Sequence, residues 1–476
     1  MSGRQSFAEL SLADAARAIK AGDLSPVELT EACLERIRET EATLHAFISV
    51  FEEEARAAAA EAAAEIRAGC HRGALHGIPV AVKDNIALRG HRTTAGSKIL
   101  ADWIPAEDST VVARLREAGA VFVGKTNMHE FAWGGTSANP HYGTVRNPWN
   151  PERFAAGSSG GSGAAVASGC CLMALGTDTG GSIRLPSSVS GLCGIRPTIG
   201  RVSNAGVIPL AWSMDTVGPM ARTAEDCALA LNLIGGPDGK DPGVARIPMD
   251  DATAALADGV ERLRIGVVPH FFSHLQPDVG RAVRVALATL EGLGAQLVDI
   301  EIAHIEGNIS AQLTIESCEP SAYHQGWLRT RPDDYGDDVR SLLELGELQL
   351  ATSYLQAQRY RSLLRSEFIR AFDQVDVFIC PTLPFTAVPV GASTVVIEDG
   401  VEEDMLSAIM QHTGVPSLVG LPSMSVPCGF SEGLPIGMQI IGKPFAEATV
   451  FRVGQAFQSA TDFHRRRPSL DWVGRA

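Results

Sequence analysis

One stretch constrains the architecture of this chain more than any other, the run GSSGGSGAAVASGCCLMALGTDTGGSIR from Gly157 to Arg184. Two Gly/Ser clusters, Gly157–Gly163 and Thr179–Ser182, flank an Ala-rich segment and a short apolar run. Ala164–Ser168 predicts a helix closing at Gly169, and Cys171–Thr177 predicts a buried strand ending at the second cluster. Glycine lacks Cβ, so the backbone can approach a ligand closely and turn its N–H groups toward it. Each cluster can therefore present a hydroxyl and a set of backbone donors to one reacting centre.

The rest of the chain supplies the scaffold. Residues 11–69 read as helical, with start signals at Ser11/Asp14 and at Ser25-Pro26 with Glu28. The run Glu52–Ala68 is rich in Ala and Glu and stops at Gly69. Ile78–Val82 predicts a strand that delivers Lys83 and Asp84 at its end, a place where lysines are more often solvated than functional. Ser109–Gly119 predicts a capped helix, Ala120–Val123 a strand, and Phe131–Asn150 a loop holding Phe131, Trp133, Tyr142 and Trp149. Turns are expected after Arg184 and a helix over Ala224–Ile234, with residues 235–262 as a surface connection. Strands are expected at Leu263–Val268, Gln296–Ile300 and Val375–Pro381, with a helix at Asp278–Gly292. Two more strands follow near the C-terminus, before a last helix over Glu447–Ser459. Alternating helices and strands without a clean boundary give one large α/β unit spanning 1–476, with a helical part over about 1–70 and a helical insertion over about 309–372.

Several classes of function are set aside. A net charge of −15 argues against a nucleic-acid surface. No window is apolar for long enough to span a bilayer, and no signal peptide is evident. The nine cysteines lack ligand spacing, and reduced thiols in a cytoplasmic protein are expected. A P-loop needs Gly-Lys-Ser/Thr after its glycines, and neither Gly/Ser cluster has that lysine; a dinucleotide fold needs GxGxxG and a zincin needs HExxH, and neither is present. No GxSxG elbow stands out. Serine chemistry with a non-histidine base remains, as in the Ser-Lys variants.

KDN at Lys83–Asn85, GKTNMHEF at Gly124–Phe131, GSSGGS at Gly157–Ser162 and DTGGSIR at Asp178–Arg184 resemble the amidase signature family. The resemblance continues through GRVSNAGV, DTVGPMARTAED and LPIGMQIIGKPF, and so covers nearly the whole chain. It implies a single α/β/α domain around a large mixed sheet, with no metal and no cofactor. It further implies Ser182 as nucleophile, Ser158 as a bridging serine with a cis backbone bond, and Lys83 as base. Thr179, Gly180, Gly181 and Ser182 would form the oxyanion hole. Ser159, Asp178 and Arg184 would support it, the last two as a structural ion pair. A lysine serves as base only when neutral, and burial without an acidic partner favours that state. Phe131, Ala132 and Trp133, next to the first cluster in sequence, are candidates for a substrate pocket.

Two functions follow from the resemblance. One is a free-standing amidase that cleaves a small-molecule amide through an acyl-enzyme, with neither nucleic acid nor membrane as partner and a homodimer as a compatible assembly. The other is the glutaminase component of a tRNA-dependent amidotransferase. Such glutaminases resemble one another in an arginine pair and an aspartate that would anchor an amino acid substrate. By alignment, this chain has Ser341 and Leu342 at the pair and Met410 at the aspartate, which favours the amidase.

Overall fold

Strand residues with apolar side chains on both faces need cover on both faces. In the computed structural model, which describes residues 7, 9–398 and 400–474, they receive it. Along Pro79–Lys83, Val80 and Val82 join one core cluster and Ala81 another; along Met173–Asp178, Met173 and Leu175 divide from Ala174 in the same way. The pattern recurs at the far side of the sheet, where Val377 and Ile379 part from Phe378 and Cys380. The helices Ala224–Ile234, Pro277–Gly292 and Glu447–Ala460 supply the first cluster. Gly160–Ser168, Asn308–Thr330 and Ala351–Ala371 contribute to the others.

The result is an α/β domain around an 11-stranded mixed sheet. Across the sheet the strands are Phe47–Val50, Val121–Thr126, Pro79–Lys83, Met173–Asp178, Thr216–Ala221, Cys193–Arg196, Ser423–Ser431, Leu434–Gly442, Val377–Pro381, Arg264–Val267 and Gln296–Asp299. Pro79–Lys83 runs parallel to Met173–Asp178, with Val82 opposite Leu175. Their C-terminal ends therefore meet at one edge of the sheet, and Lys83 arrives beside Thr177. No helix among the described residues is long and apolar enough to cross a membrane.

Capping chemistry sets the helix ends. Ser25 and Glu28 form a full capping box, and Ser11 accepts from the Asp14 N–H. The helix Gly160–Ser168 ends on Gly169 in the left-handed region.

The sequence reading of residues 11–69 as helical needs one correction, because Phe47–Val50 is an edge strand antiparallel to Val121–Thr126. Four residues between two strong helices, Phe47 buried and the other three partly exposed, carry little period-2 signal. The turns expected after Arg184 also hide a helix, Arg184–Ser190, and the strands Cys193–Arg196 and Thr216–Ala221. RLPSSVS has poor helix formers, and TVGPMA carries a Pro, which argues against a central strand. Pro219 is tolerated because Cys193–Arg196 pairs only as far as Met220 and leaves Pro219 free on that side.

Candidate active site

The edge where these strands end collects the residues of both Gly/Ser clusters. Lys83 is fully buried, and its Nζ donates to Ser158 Oγ at 2.7 Å and to Thr177 Oγ1 at 2.8 Å. The Gly157–Ser158 peptide bond is cis. No carboxylate among the described residues pairs with Lys83. Burial pushes its ammonium down to about 7, with Asp178 and Asp215 pulling part of the way back. Ser159 N donates to Ser182 O at 3.2 Å, and Ser159 Oγ donates to Thr177 O at 3.2 Å, so the two clusters are tied directly.

The loop of the second cluster is held from below. Burial alone would raise the Asp178 carboxyl, but Arg184 and Arg196 hold it well below the usual carboxylate range. Arg184 Nη2 lies 2.8 Å from Asp178 Oδ1, and Arg196 Nη1 lies 3.2 Å from the same oxygen. Arg184 also donates to Thr413 O at 3.0 Å and Ser417 Oγ at 2.6 Å, which anchors the loop to the Gly414–Val419 helix. From above, Thr413 Oγ1 donates to Gly180 O at 2.7 Å, and Thr179 Oγ1 donates to Asp215 Oδ1 at 2.5 Å. Gly181 has φ +143°, and a Cβ there would sit 2.4 Å from Thr413 Oγ1. The N–H groups of Thr179, Gly180, Gly181 and Ser182 donate no hydrogen bond among the described residues. Four backbone donors thus remain free on a braced turn, an arrangement suited to an anionic oxygen.

Ser182 completes the cluster differently from the expectation of a continuous chain of three side chains. Lys83 and Ser158 are bonded, but Ser182 Oγ makes no hydrogen bond among the described residues and lines a small inner cavity of about 20 Å³. Ala132 and Trp133 line that cavity. Phe131 does not, and this is a correction. The chain reverses there through consecutive residues at φ 49° and 61°, and Phe131 packs on His324 (centroids 4.2 Å apart) and Tyr335. An aromatic in a loop next to a motif was, in this case, core.

Trp133, Gly134, Gly135, Leu406 and Ile409 are shared with an adjoining outer cavity of about 460 Å³. The outer cavity is lined by Leu342 and the inner one by Met410, two of the positions singled out by alignment; Ser341 instead donates its hydroxyl to Asp337 O. No arginine or lysine lines either cavity among the described residues. Sequence reasoning missed Glu316, a fully buried acid that lines the inner cavity with Ser182. Its only signal was an acid within TIESCE, part of the segment read as a helical insertion.

The amidase family model matches residues 28–451. Together with the fold, this defines an α/β enzyme of the class that acts on carbon–nitrogen bonds. The chain belongs to the amidase signature family. It is 44% identical over 473 residues to an amidase of Pseudomonas putida, covering 98% of this chain and 100% of that one. It is 42% identical over 488 residues to the A component of glutamyl-tRNA(Gln) amidotransferase from a Roseiflexus species, covering 97% and 98%. A solved structure from work on a vestigial protein complex, which revealed the evolutionary origins of an s-triazine catabolic enzyme, matches with TM-score 0.91 at 35% identity, covering 94% of this chain and 98% of that one.

Proposed function

We propose that this chain hydrolyses a linear carboxylic amide through an acyl-enzyme on Ser182. Neutral Lys83 accepts the proton of Ser158 as Ser158 accepts that of Ser182, and Ser182 Oγ attacks the carbonyl carbon. The N–H groups of Thr179–Ser182 hold the developing oxyanion, each donor contributing about 3 kcal/mol. As the C–N bond breaks, the proton returns through Ser158 to the leaving nitrogen, which departs as ammonia or an amine. Water then attacks the acyl-enzyme with the same groups as acid and base and releases the carboxylic acid.

One observation carries the reading: Lys83 is buried, bonded to Ser158 Oγ at 2.7 Å, and without a carboxylate partner among the described residues. A charged lysine there would be costly, whereas a neutral one is a base of suitable strength. The test is to quench turnover of a simple amide and search by mass spectrometry for acyl mass on the peptide holding Ser182. Acylation in the native chain and none in Ser182→Ala is expected. An acyl mass elsewhere would end the proposal.

A second reading, the glutaminase component of an amidotransferase, draws on the 42% identity to the Roseiflexus protein. Leu342 and Met410 on the cavity walls weigh against it, since a zwitterionic amino acid needs both a cation and an anion as anchors.

A further inference from the structure

The inner cavity is apolar except at a few points. Around Ser182 stand Ala132, Trp133, Leu185, Leu210, Leu406, Ile409 and Met410, and among the described residues that line it Glu316 is the single acid or base. Its Oε1 accepts from Gln312 Nε2 at 2.9 Å, while Oε2 makes no hydrogen bond among the described residues. The carboxyl lies against the oxyanion turn, because a Cβ on Gly180 would sit 2.9 Å from Glu316 Oε1. Another polar group on these walls, the indole N–H of Trp133, is buried and also unpartnered. A carboxyl set in apolar walls, with one oxygen satisfied and the other free, is a polar group waiting for a partner beside the reacting carbonyl.

We propose that Glu316 is a specificity residue that donates a hydrogen bond from Oε2 to an uncharged acceptor on the acyl part of the substrate, close to the scissile carbonyl. This rests on the acyl-enzyme reading above and narrows it to small, uncharged acyl groups that carry an ether, carbonyl or ring-nitrogen acceptor. The acyl side is indicated because Lys83, Ser158 and Thr177 form the set that returns the proton to the departing amine. Glu316 belongs to a separate set, with Gln312 and Met410 against Gly180. The Gln312 N–H occupies Oε1, so the carboxylic proton resides on Oε2, where it can donate. Burial holds the acid in this neutral state, pushing it up to about 8; Gln312 opposes the shift, as does Arg196, while Asp215 and Asp178 add to it. Neutral acids in apolar sites serve as donors in this way. A ligand without an acceptor leaves the donor buried and unpaired, so discrimination against the hydrocarbon isostere is expected.

Methoxyacetamide and butyramide differ by one ether oxygen in place of a methylene, and they make the test. The ratio of their kcat/KM values cancels the titration of Lys83, which acts on both. Native protein at pH 7 is expected to favour methoxyacetamide by about tenfold, the worth of one hydrogen bond to a buried donor. Glu316→Leu should lower the ratio about tenfold while butyramide is still turned over, and Glu316→Gln, which keeps a neutral donor, should retain the preference. Should the leucine variant fail to fold, pH supplies the second arm. The native ratio falls as pH rises through about 8 and Glu316 ionises, whereas the ratio in Glu316→Gln stays level. A native ratio of one, or a ratio unchanged in Glu316→Leu with both amides slowed equally, overturns the proposal. If native protein turns over neither amide, the acyl-enzyme reading has failed, and calorimetric affinities for the same pair still decide the role of Glu316: a ratio of one overturns it.

Discussion

Lys83 and Lys125 stand one residue out of register on adjacent parallel strands, both fully buried, yet of the two only Lys125 has a carboxylate. Val82 pairs with Lys125 and Lys83 with Thr126. Lys125 Nζ lies 3.2 Å from Asp84 Oδ1 and donates to Ile86 O and Thr93 Oγ1, an assembly that fixes the charge and joins two strand ends. Lys83 meets hydroxyls. Burial lowers both lysines, but at Lys125 the adjacent Asp84 opposes it through charge and hydrogen bond. The same residue type thus serves as a structural cation on one strand and as a candidate base on its neighbour.

The first prediction concerns pH. Lys83 is pushed down to about 7, and a lysine acting as base is active in its deprotonated form. The sign follows directly: kcat/KM rises as pH climbs through about 7 and levels off above it, with a slope of one proton. Lys83→Met should lower kcat by about 10²- to 10⁴-fold and flatten the profile. Lys125→Met should act on stability and leave the apparent pKa of any remaining activity unmoved. A profile that falls through neutrality in native protein would rule out Lys83 as the base.

The second prediction concerns the ion pair beneath the oxyanion turn. Asp178 and Arg184 are both fully buried, so removing Arg184 leaves the Asp178 carboxylate with Arg196 alone, at 3.2 Å. Arg184→Ala is expected to cost about 3–5 kcal/mol in urea unfolding. The Asp178 carboxyl is held below its unfolded value, so its contribution is complete above the ordinary carboxylate range and is lost as pH falls through the folded value. Stability of the native chain should therefore drop on acidification more steeply than that of Asp178→Asn. Equal acid sensitivity in the two proteins would remove Asp178 from the account.

The third prediction tests the turn itself. Gly181 sits at φ +143°, and an added Cβ would clash with Thr413 Oγ1 at 2.4 Å. Gly181→Ala should reduce kcat by at least about tenfold, because displaced N–H donors no longer meet the oxyanion. Adding Thr413→Ala removes the shortest contact and leaves both the Leu185 side chain at 2.9 Å and the backbone strain, so recovery should be partial. Native kcat in Gly181→Ala would show that the turn tolerates movement and that its donors are not catalytic.

Much of this site was legible in the sequence, for a physical reason. Ser158, Ser182 and the glycines around them are local: the backbone dictates where they point, and the Gly/Ser clusters announce that backbone. Lys83 was legible only through its motif, since a strand-end lysine carries no sign of its own that it will be buried. Glu316 was not legible. Its burial depends on the Asn308–Thr330 helix lying against the turn at Gly180, a contact between segments more than a hundred residues apart. Phe131 failed for the opposite reason: it is near the site in sequence, but two successive left-handed residues turn it into the core.

The last prediction concerns what the cavities admit. An amino acid such as glutamine brings a carboxylate and an ammonium, and each must be stripped of water to reach Ser182. Stripping is tolerable only where an opposite charge waits, and an unpaired buried polar group costs about 1–3 kcal/mol, more when charged. Leu342 and Met410 offer neither charge, no arginine or lysine lines the cavities among the described residues, and the buried arginines Arg184 and Arg196 are already engaged by Asp178. Asp338 and Asp404 on the outer walls could face the ammonium, and Glu316 could do so by surrendering its proton, but no arginine or lysine among the described residues lining the cavities would receive the carboxylate. Small uncharged amides avoid both penalties. In side-by-side assays, simple amides such as methoxyacetamide or benzamide should be hydrolysed with kcat/KM at least about tenfold above that for glutamine, the equivalent of one unmet polar group. Introducing a carboxylate with Met410→Asp should narrow the gap for amino acid amides that bear an ammonium but no carboxylate. Efficient glutamine hydrolysis by the native chain, with simple amides inert, would overturn this prediction and favour the glutaminase reading.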